Sequence, residues 1–239
     1  MLTIRCKNIQ PHTTKTDCLV LPVFSSAKQP SYAEQILKPV VTALRKRGDI
    51  SGKPGESMLL PHCEGISAER VLLVGAGEGK ALTRADYLTV LNTITDNMGK
   101  HKISDATLML DELNVSERDV VWIAQLAARK LVQSVYRFDQ MKSDKKPASL
   151  KSITWHTSDS RHIKLLDAAL QTGSAVGKGM AFARDLGNLP GNICTPEYLA
   201  KQSLELAKKH KALTVKVLEE KQMRALKMGS LLSVSAGSS

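Results

Sequence analysis

The run RVLLVGAG, residues 70–77, sets the tightest limit on how this chain can fold. It is apolar without alternation. That pattern predicts a central strand covered on both faces, as in parallel or mixed sheets flanked by helices. The segments around it agree. LTIRC (2–6), DCLVLPVF (17–24), MLLPH (58–62), ATLML (106–110) and ITWHT (153–157) read as further strands. Helical patterns lie between them. One covers 33–47, with Ile36, Leu37, Val40, Val41 and Leu44 on one stripe and Gly48 at its end. A second covers 84–99, capped by Thr83 and closed by Gly99. A third begins at Ser116 and carries the stripe Val120, Ile123, Ala124, Ala127, Leu131 and Val135. Strands alternating with helices predict an α/β fold around a largely parallel or mixed sheet.

The character changes near residue 160. Residues 161–186 are helical in pattern and contain Gly173, Gly177 and Gly179. Each glycine costs a helix roughly 1 kcal/mol against alanine, so either a neighbour packs closely on that face or the helix breaks. Then comes ARDLGNLPGNICTPEYLA, 183–200. Gly187 and Asn188 end the long helix, and Pro190 with Gly191 forces a turn. Thr195 is placed to cap the next helix and Pro196 to open it, where its missing N–H costs nothing. Residues 197–210 read as a helix, 213–219 as a strand, 221–228 as a short helix and 230–236 as a strand. The plan expected is therefore a domain over 1–160, a connecting helix over 161–187, and over 188–239 the first β-α-β unit of an incomplete second domain. A lone parallel pair is thin for an independent core.

Composition excludes several functions. No run of ~18 apolar residues occurs, so no membrane partner is expected, and the amino terminus MLTIRCKNIQ lacks the apolar centre of a signal peptide. Cys6, Cys18, Cys63 and Cys194 are widely separated, which fits reduced thiols in a cytoplasmic protein. The formal charge of +11 could attract an anionic partner such as DNA, or it reflects solvated faces such as KSDKK (142–146) and KKHK (208–211). Aromatic residues are only 4%, which does not favour a base-stacking surface.

Candidate chemistry is sparse. The loop GAGEGK, with Gly75, Gly77, Gly79 and Lys80, follows a strand and precedes a helix, where phosphate loops sit. It fits neither fingerprint: Lys80 stands where the dinucleotide motif needs glycine, and Ala81 where a P-loop needs Ser or Thr. It is a weak ligand loop or a plain turn. The six histidines show no metal-binding spacing, and His62 and Cys63, read on a strand, point to opposite faces. The pairs Asp111–Glu112 and Glu219–Glu220 diverge if they lie on strands, so neither makes an acid–base pair. Asp185, within ARDLGN (183–188), reads either as a catalytic carboxylate or, by preference, as a residue that caps or pairs near a helix end. No residue is assigned to catalysis and none to a metal.

The stretch 183–200 resembles the sequence that opens the catalytic domain of the leucyl (cytosol) aminopeptidase family of metallopeptidases. VLLVGAGEGKALT (71–83), YRFDQMKSDKKP (136–147) and QMRALKMGSLLSVSAGS (222–238) are similar to other parts of that family. The resemblance implies a macro-domain-like amino-terminal domain. It also implies a catalytic domain that holds two divalent metals, manganese or zinc, and removes amino-terminal residues from peptide substrates in cytoplasmic hexamers. The two-metal logic is a bound hydroxide attacking a polarised carbonyl. The family's ligand motifs, one with lysine-glycine and threonine-phenylalanine-aspartate, the other asparagine-threonine-aspartate-alanine-glutamate-glycine-arginine, do not occur here. The resemblance places them after Gly237-Ser238.

Asn188, Pro190, Asn192, Thr195 and Pro196 are then expected to shape the turn into the catalytic domain. No metal is expected in these residues, and no hydrolysis by this chain alone. Two alternatives stand beside that: a non-catalytic basic module binding DNA or a partner subunit, and a pocket for an ADP-ribose-type molecule in the macro-like domain.

Overall fold

The computed structural model describes residues 2–26 and 30–237. The chain folds as two compact units, Met1–Ala183 and Arg184–Ser239. Ser238, the last residue of the glycine-serine match, lies outside the described residues.

The first unit is built on β1 (Thr3–Lys7), β2 (Cys18–Val23), β3 (Ser57–Leu60), β4 (Arg70–Gly75), β5 (Asp105–Leu108) and β6 (Ser152–His156). They form one sheet in the order β1-β6-β5-β2-β4-β3. Every pairing is parallel except β3 with β4, so the sheet is mixed and the α/β class expected from the sequence holds. From Val71 to Gly75 the strand is fully buried, as its unbroken apolar run predicts. In the central strand β2, Pro22 can be tolerated because the ladder to β5 covers only Cys18–Val20. Val20 faces β5 with its carbonyl, and Pro22, two residues on, lacks its N–H past the end of that ladder.

Helices cover both faces. On one lie α1 (Tyr32–Ile36) and α2 (Lys38–Arg47), packing Ala33, Leu37, Val41 and Leu44 onto Leu19, Leu21, Val71 and Leu73. The sequence reads 33–47 as one helix. It is two, because Pro39 near the start of α2 cannot donate to a preceding turn and the chain breaks at Leu37. On the other face lie α3 (Arg84–Lys100), α4 (Val120–Ser134) and the amino-terminal part of α5 (Ile163–Asn188), over Val20, Leu72, Val74 and Leu108. The α4 helix begins after Asp119, not at Ser116. Val115 pairs with Leu82 and Glu117 takes a left-handed φ of 58°, so the helix starts only where Asp119 accepts the Trp122 N–H at 2.8 Å.

The glycines of α5 divide by position. A Cβ on Gly173 would stand 2.1 Å from the Gln125 carbonyl oxygen, and one on Gly177 would stand 2.8 Å from the Val132 Cβ. These two let α5 approach the α4 backbone, whereas Gly179 meets nothing within 4 Å. A single 3-10 turn, Ser160–His162, precedes the helix.

The second unit contains α6 (Pro196–Lys209), α7 (Glu220–Ala225) and α8 (Gly229–Ser235). The expected β-α-β unit is not formed. Residues 213–219 have no strand partners, and 230–236, expected as a strand, lie almost wholly in α8. Strand structure needs cross-strand partners, and this unit holds no other strand among the described residues. Backbone groups there satisfy one another locally instead, as in Leu232 N–H to the Met228 carbonyl at 3.2 Å. No residue of α6, α7 or α8 is buried.

Candidate functional site

In open α/β sheets ligands gather beyond the carboxyl ends of the parallel strands, where successive connections leave to opposite faces. Here β2 feeds α1 on one face, while β4 and β5 feed α3 and α4 on the other. The loop 75–80 and the residues following β5 and β6 both stand at this edge.

The loop does not present a free phosphate cradle. Its first three N–H groups have protein partners: Gly75 donates to the Glu56 carbonyl at 2.9 Å, Ala76 to Val23 at 2.8 Å and Gly77 to Gly52 at 2.8 Å. A Cβ on Gly75 would fall 2.0 Å from the Lys53 carbonyl oxygen, so the turn 51–56 fills the adjoining space. Gly77 and Gly79 have φ of 76° and 72°, so these glycines serve the turn itself. Lys80 pairs with Glu78 at 3.1 Å in solvent. The neighbouring turn is itself an anion nest, occupied by its own Glu56. That carboxylate accepts from the N–H of Ser51 (2.7 Å), Gly52 (2.9 Å) and Lys53 (3.3 Å) and from the Ser51 hydroxyl. Burial works to raise its pKa, but the Ser51 hydroxyl and these N–H groups outweigh it and hold the carboxyl below its ordinary value.

A polar cluster forms between β2's exit, β5 and β6. Tyr32, the first residue of α1, donates its N–H to both Glu112 oxygens at 3.2 Å and its hydroxyl to Asp111 Oδ2 at 3.3 Å. Asp111 Oδ2 also accepts the Ser158 N–H at 2.8 Å. His156 Nδ1 accepts the Ile9 N–H at 3.3 Å, which leaves the proton of the neutral imidazole on Nε2, 3.8 Å from Asp111 Oδ2. The Tyr32 ring meets the imidazole edge-on at 5.9 Å. Asp111 Oδ1 is buried without a partner.

Burial pushes the Glu112 carboxyl up to about 8, with Asp111 and Glu34 adding to it and the Tyr32 N–H opposing. Burial likewise pushes His156 down, against the pull of Asp111. Glu112 therefore holds its proton at neutral pH while His156 stays neutral. The cluster fixes α1 to the sheet edge with side chains turned on one another. The sequence reading separates Asp111 from Glu112 by strand alternation, but β5 ends at Leu108, so both sit in the turn beyond it, where alternation no longer applies. An Asp-Glu pair directly after the apolar run ATLML was the available signal.

The other sequence candidates do not converge. His62 is exposed in a loop and Cys63 is buried, so neither lies on a strand. Glu219 and Glu220 stand at the start of α7. In the second unit, Asn188 is the last residue of α5, and the Pro190 carbonyl accepts the N–H groups of Ile193 and Cys194 at 2.9 Å, closing a turn that contains Asn192. Thr195 then accepts the Tyr198 N–H at 3.3 Å and Pro196 opens α6, as the sequence predicts. No three His, Cys, Asp or Glu side chains among the described residues converge to hold a metal ion.

An amino-terminal α/β unit joined through a long helix to a second, helical unit defines the class. Residues 20–145 match the amino-terminal domain of the cytosol aminopeptidase family, and residues 181–239 match the family's catalytic domain. The chain belongs to the cytosol aminopeptidase family. It is 40% identical over 233 residues to a probable cytosol aminopeptidase of Alkalilimnicola ehrlichii, covering 95% of this chain and 46% of that protein. It is 38% identical over 236 residues to the cytosol aminopeptidase of Pseudomonas aeruginosa PAO1, covering 97% and 48%. The chain thus spans about half the length of the curated relatives it matches. Among solved structures, a tomato leucine aminopeptidase mutant shares the fold with a TM-score of 0.73 at 18% identity, over 95% of this chain and 46% of that one. The bottromycin maturation enzyme BotP does so with 0.65 at 24%, over 88% and 41%.

Proposed function

We propose that these residues are the amino-terminal domain and the opening of the catalytic domain of a cytoplasmic, metal-dependent aminopeptidase that removes amino-terminal residues from peptides. The observation that carries this is the pair of family matches, in order along one chain and covering both domains. A manganese-bound form of BotP is known, which supports a divalent metal as the cofactor of such a protein. Among the described residues no three potential ligand side chains converge to hold a metal ion, and the family's two ligand motifs do not occur in the sequence. The chain's own contribution is architectural: the α/β unit, the connecting helix, and the turn from Asn188 to Pro196 that launches α6.

The test is metal stoichiometry. After dialysis against manganese or zinc and removal of free ion, the 239-residue chain should retain no stoichiometric metal, by elemental analysis. Two equivalents retained per chain, released by chelator, would overturn the assignment. No helix among the described residues is long and apolar enough to cross a membrane.

A further inference from the structure

We propose that the groove between α4 and α5, beside the start of α3, is a binding site for a small oxyanion, with Arg129 and Arg84 as its anchors. The proposal is independent of the peptidase reading. The groove encloses about 190 Å³. That is several times the ~30 Å³ share of one water, and below the ~300–1,000 Å³ of pockets for drug-sized ligands. Its scale suits a phosphate or a short carboxylate.

Chemistry narrows it further. Arg84, Gln125 and Arg129 line the groove, and none of its lining residues is acidic. The Arg129 Nε is buried and has no hydrogen-bond partner. Arg129 is half-buried, and leaving its buried Nε–H unmet is costly, so an acceptor is the missing element. Arg84 and Gln125 line the same space as Arg129, so three donor-bearing side chains border it. Thr172 gives its hydroxyl hydrogen to the Ala168 carbonyl at 3.0 Å and so adds an acceptor only. The nearby acids are committed: Asp86 accepts from the Thr83 hydroxyl at 2.7 Å and Asp119 caps α4 through the Trp122 N–H. Arg118, 5.1 Å above the Trp122 ring, adds positive charge at the rim. Gly173, whose close contact with the Gln125 carbonyl seats α5 against α4, is among the lining residues. Guanidinium groups bind carboxylate and phosphate through paired N–H donors, which matches this arrangement.

The experiment is calorimetric titration of the full chain with inorganic phosphate and, separately, acetate at constant ionic strength. Saturable binding of either is expected, and the tighter of the two identifies the source. The R129M variant should bind roughly tenfold or more weakly. R84M should also bind more weakly, and K46M, an exposed charge on α2 across the sheet from the groove, should bind as the parent does. Circular dichroism checks folding. If R129M fails to fold, R84M carries the test, because Arg84 is exposed. Absence of saturable binding, or parent-like binding by the folded arginine variants, would overturn the proposal. So would sedimentation showing a dimer that R129M dissociates without any phosphate binding, since the groove would then hold an acidic side chain of a second copy.

Discussion

Replacing Gly173 with alanine should destabilise the first unit by about 3 kcal/mol, at the upper end of what overpacking costs. The added Cβ would lie 2.1 Å from a backbone carbonyl oxygen of α4, which no rotamer change can relieve. The shift in midpoint should be roughly 6–12 °C for a domain of this size. Gly179→Ala is the matched control: the same helix and the same substitution, but open space around the Cβ. It should gain about 0.5–1 kcal/mol through helix propensity. Thermal unfolding of both variants checks the pair. Equal effects would mean that α5 does not pack on α4 as described.

The second large effect is a fall in stability from about pH 6.5 to pH 8. In the folded chain Glu112 is pushed up to about 8 from an ordinary 4.5, chiefly by burial. Between those values the folded state holds a proton that the unfolded state has released, so stability drops as pH rises and levels off above about 8. His156 acts in the opposite sense. Its pKa is lowered from 6.5, so it adds stability as pH climbs towards 6.5 and nothing further above it. Above that point Glu112 acts alone. Over this window of about 1.5 pH units the loss should be about 2 kcal/mol, or roughly 4–8 °C in midpoint. The facing groups are Asp111, Tyr32, His156 and Glu34, the last paired with Arg45. Burial raises Tyr32 to about 12, which keeps it neutral throughout. Glu112→Gln should flatten the dependence between pH 6.5 and 8. A parent midpoint that does not change over this range would contradict the buried, protonated Glu112.

Much of the first unit was legible. The apolar run at 70–75 announced a strand buried on both faces, and the cap Thr83, like Thr195 in the second unit, sits where local chemistry puts it. The glycines of 161–186 pointed to close packing or a broken helix; the helix is continuous, and two of the three glycines sit at close contacts. What was missed depended on partners. The apolar residues of 213–219 and 230–236 suit strands by composition, but strand structure requires a neighbour that sequence pattern does not supply. Leu199, Leu213, Leu226 and Val234 are accordingly exposed. The Asp111–Glu112–His156–Tyr32 cluster joins residues separated by up to 124 positions (156 − 32), brought together only by the order of the sheet. Arg129 reads as one more polar position on α4, yet in the fold its Nε is buried without a partner.

The most direct test of the central claim is hydrolysis of a leucyl chromogenic substrate by the pure 239-residue chain, supplied in turn with manganese and zinc. If these residues are the amino-terminal domain and opening of the catalytic domain, without its metal ligands, release of chromophore should not exceed the metal-only blank. Turnover that co-purifies with the chain and disappears with chelator would show that a complete metal site forms within these residues, contradicting the account.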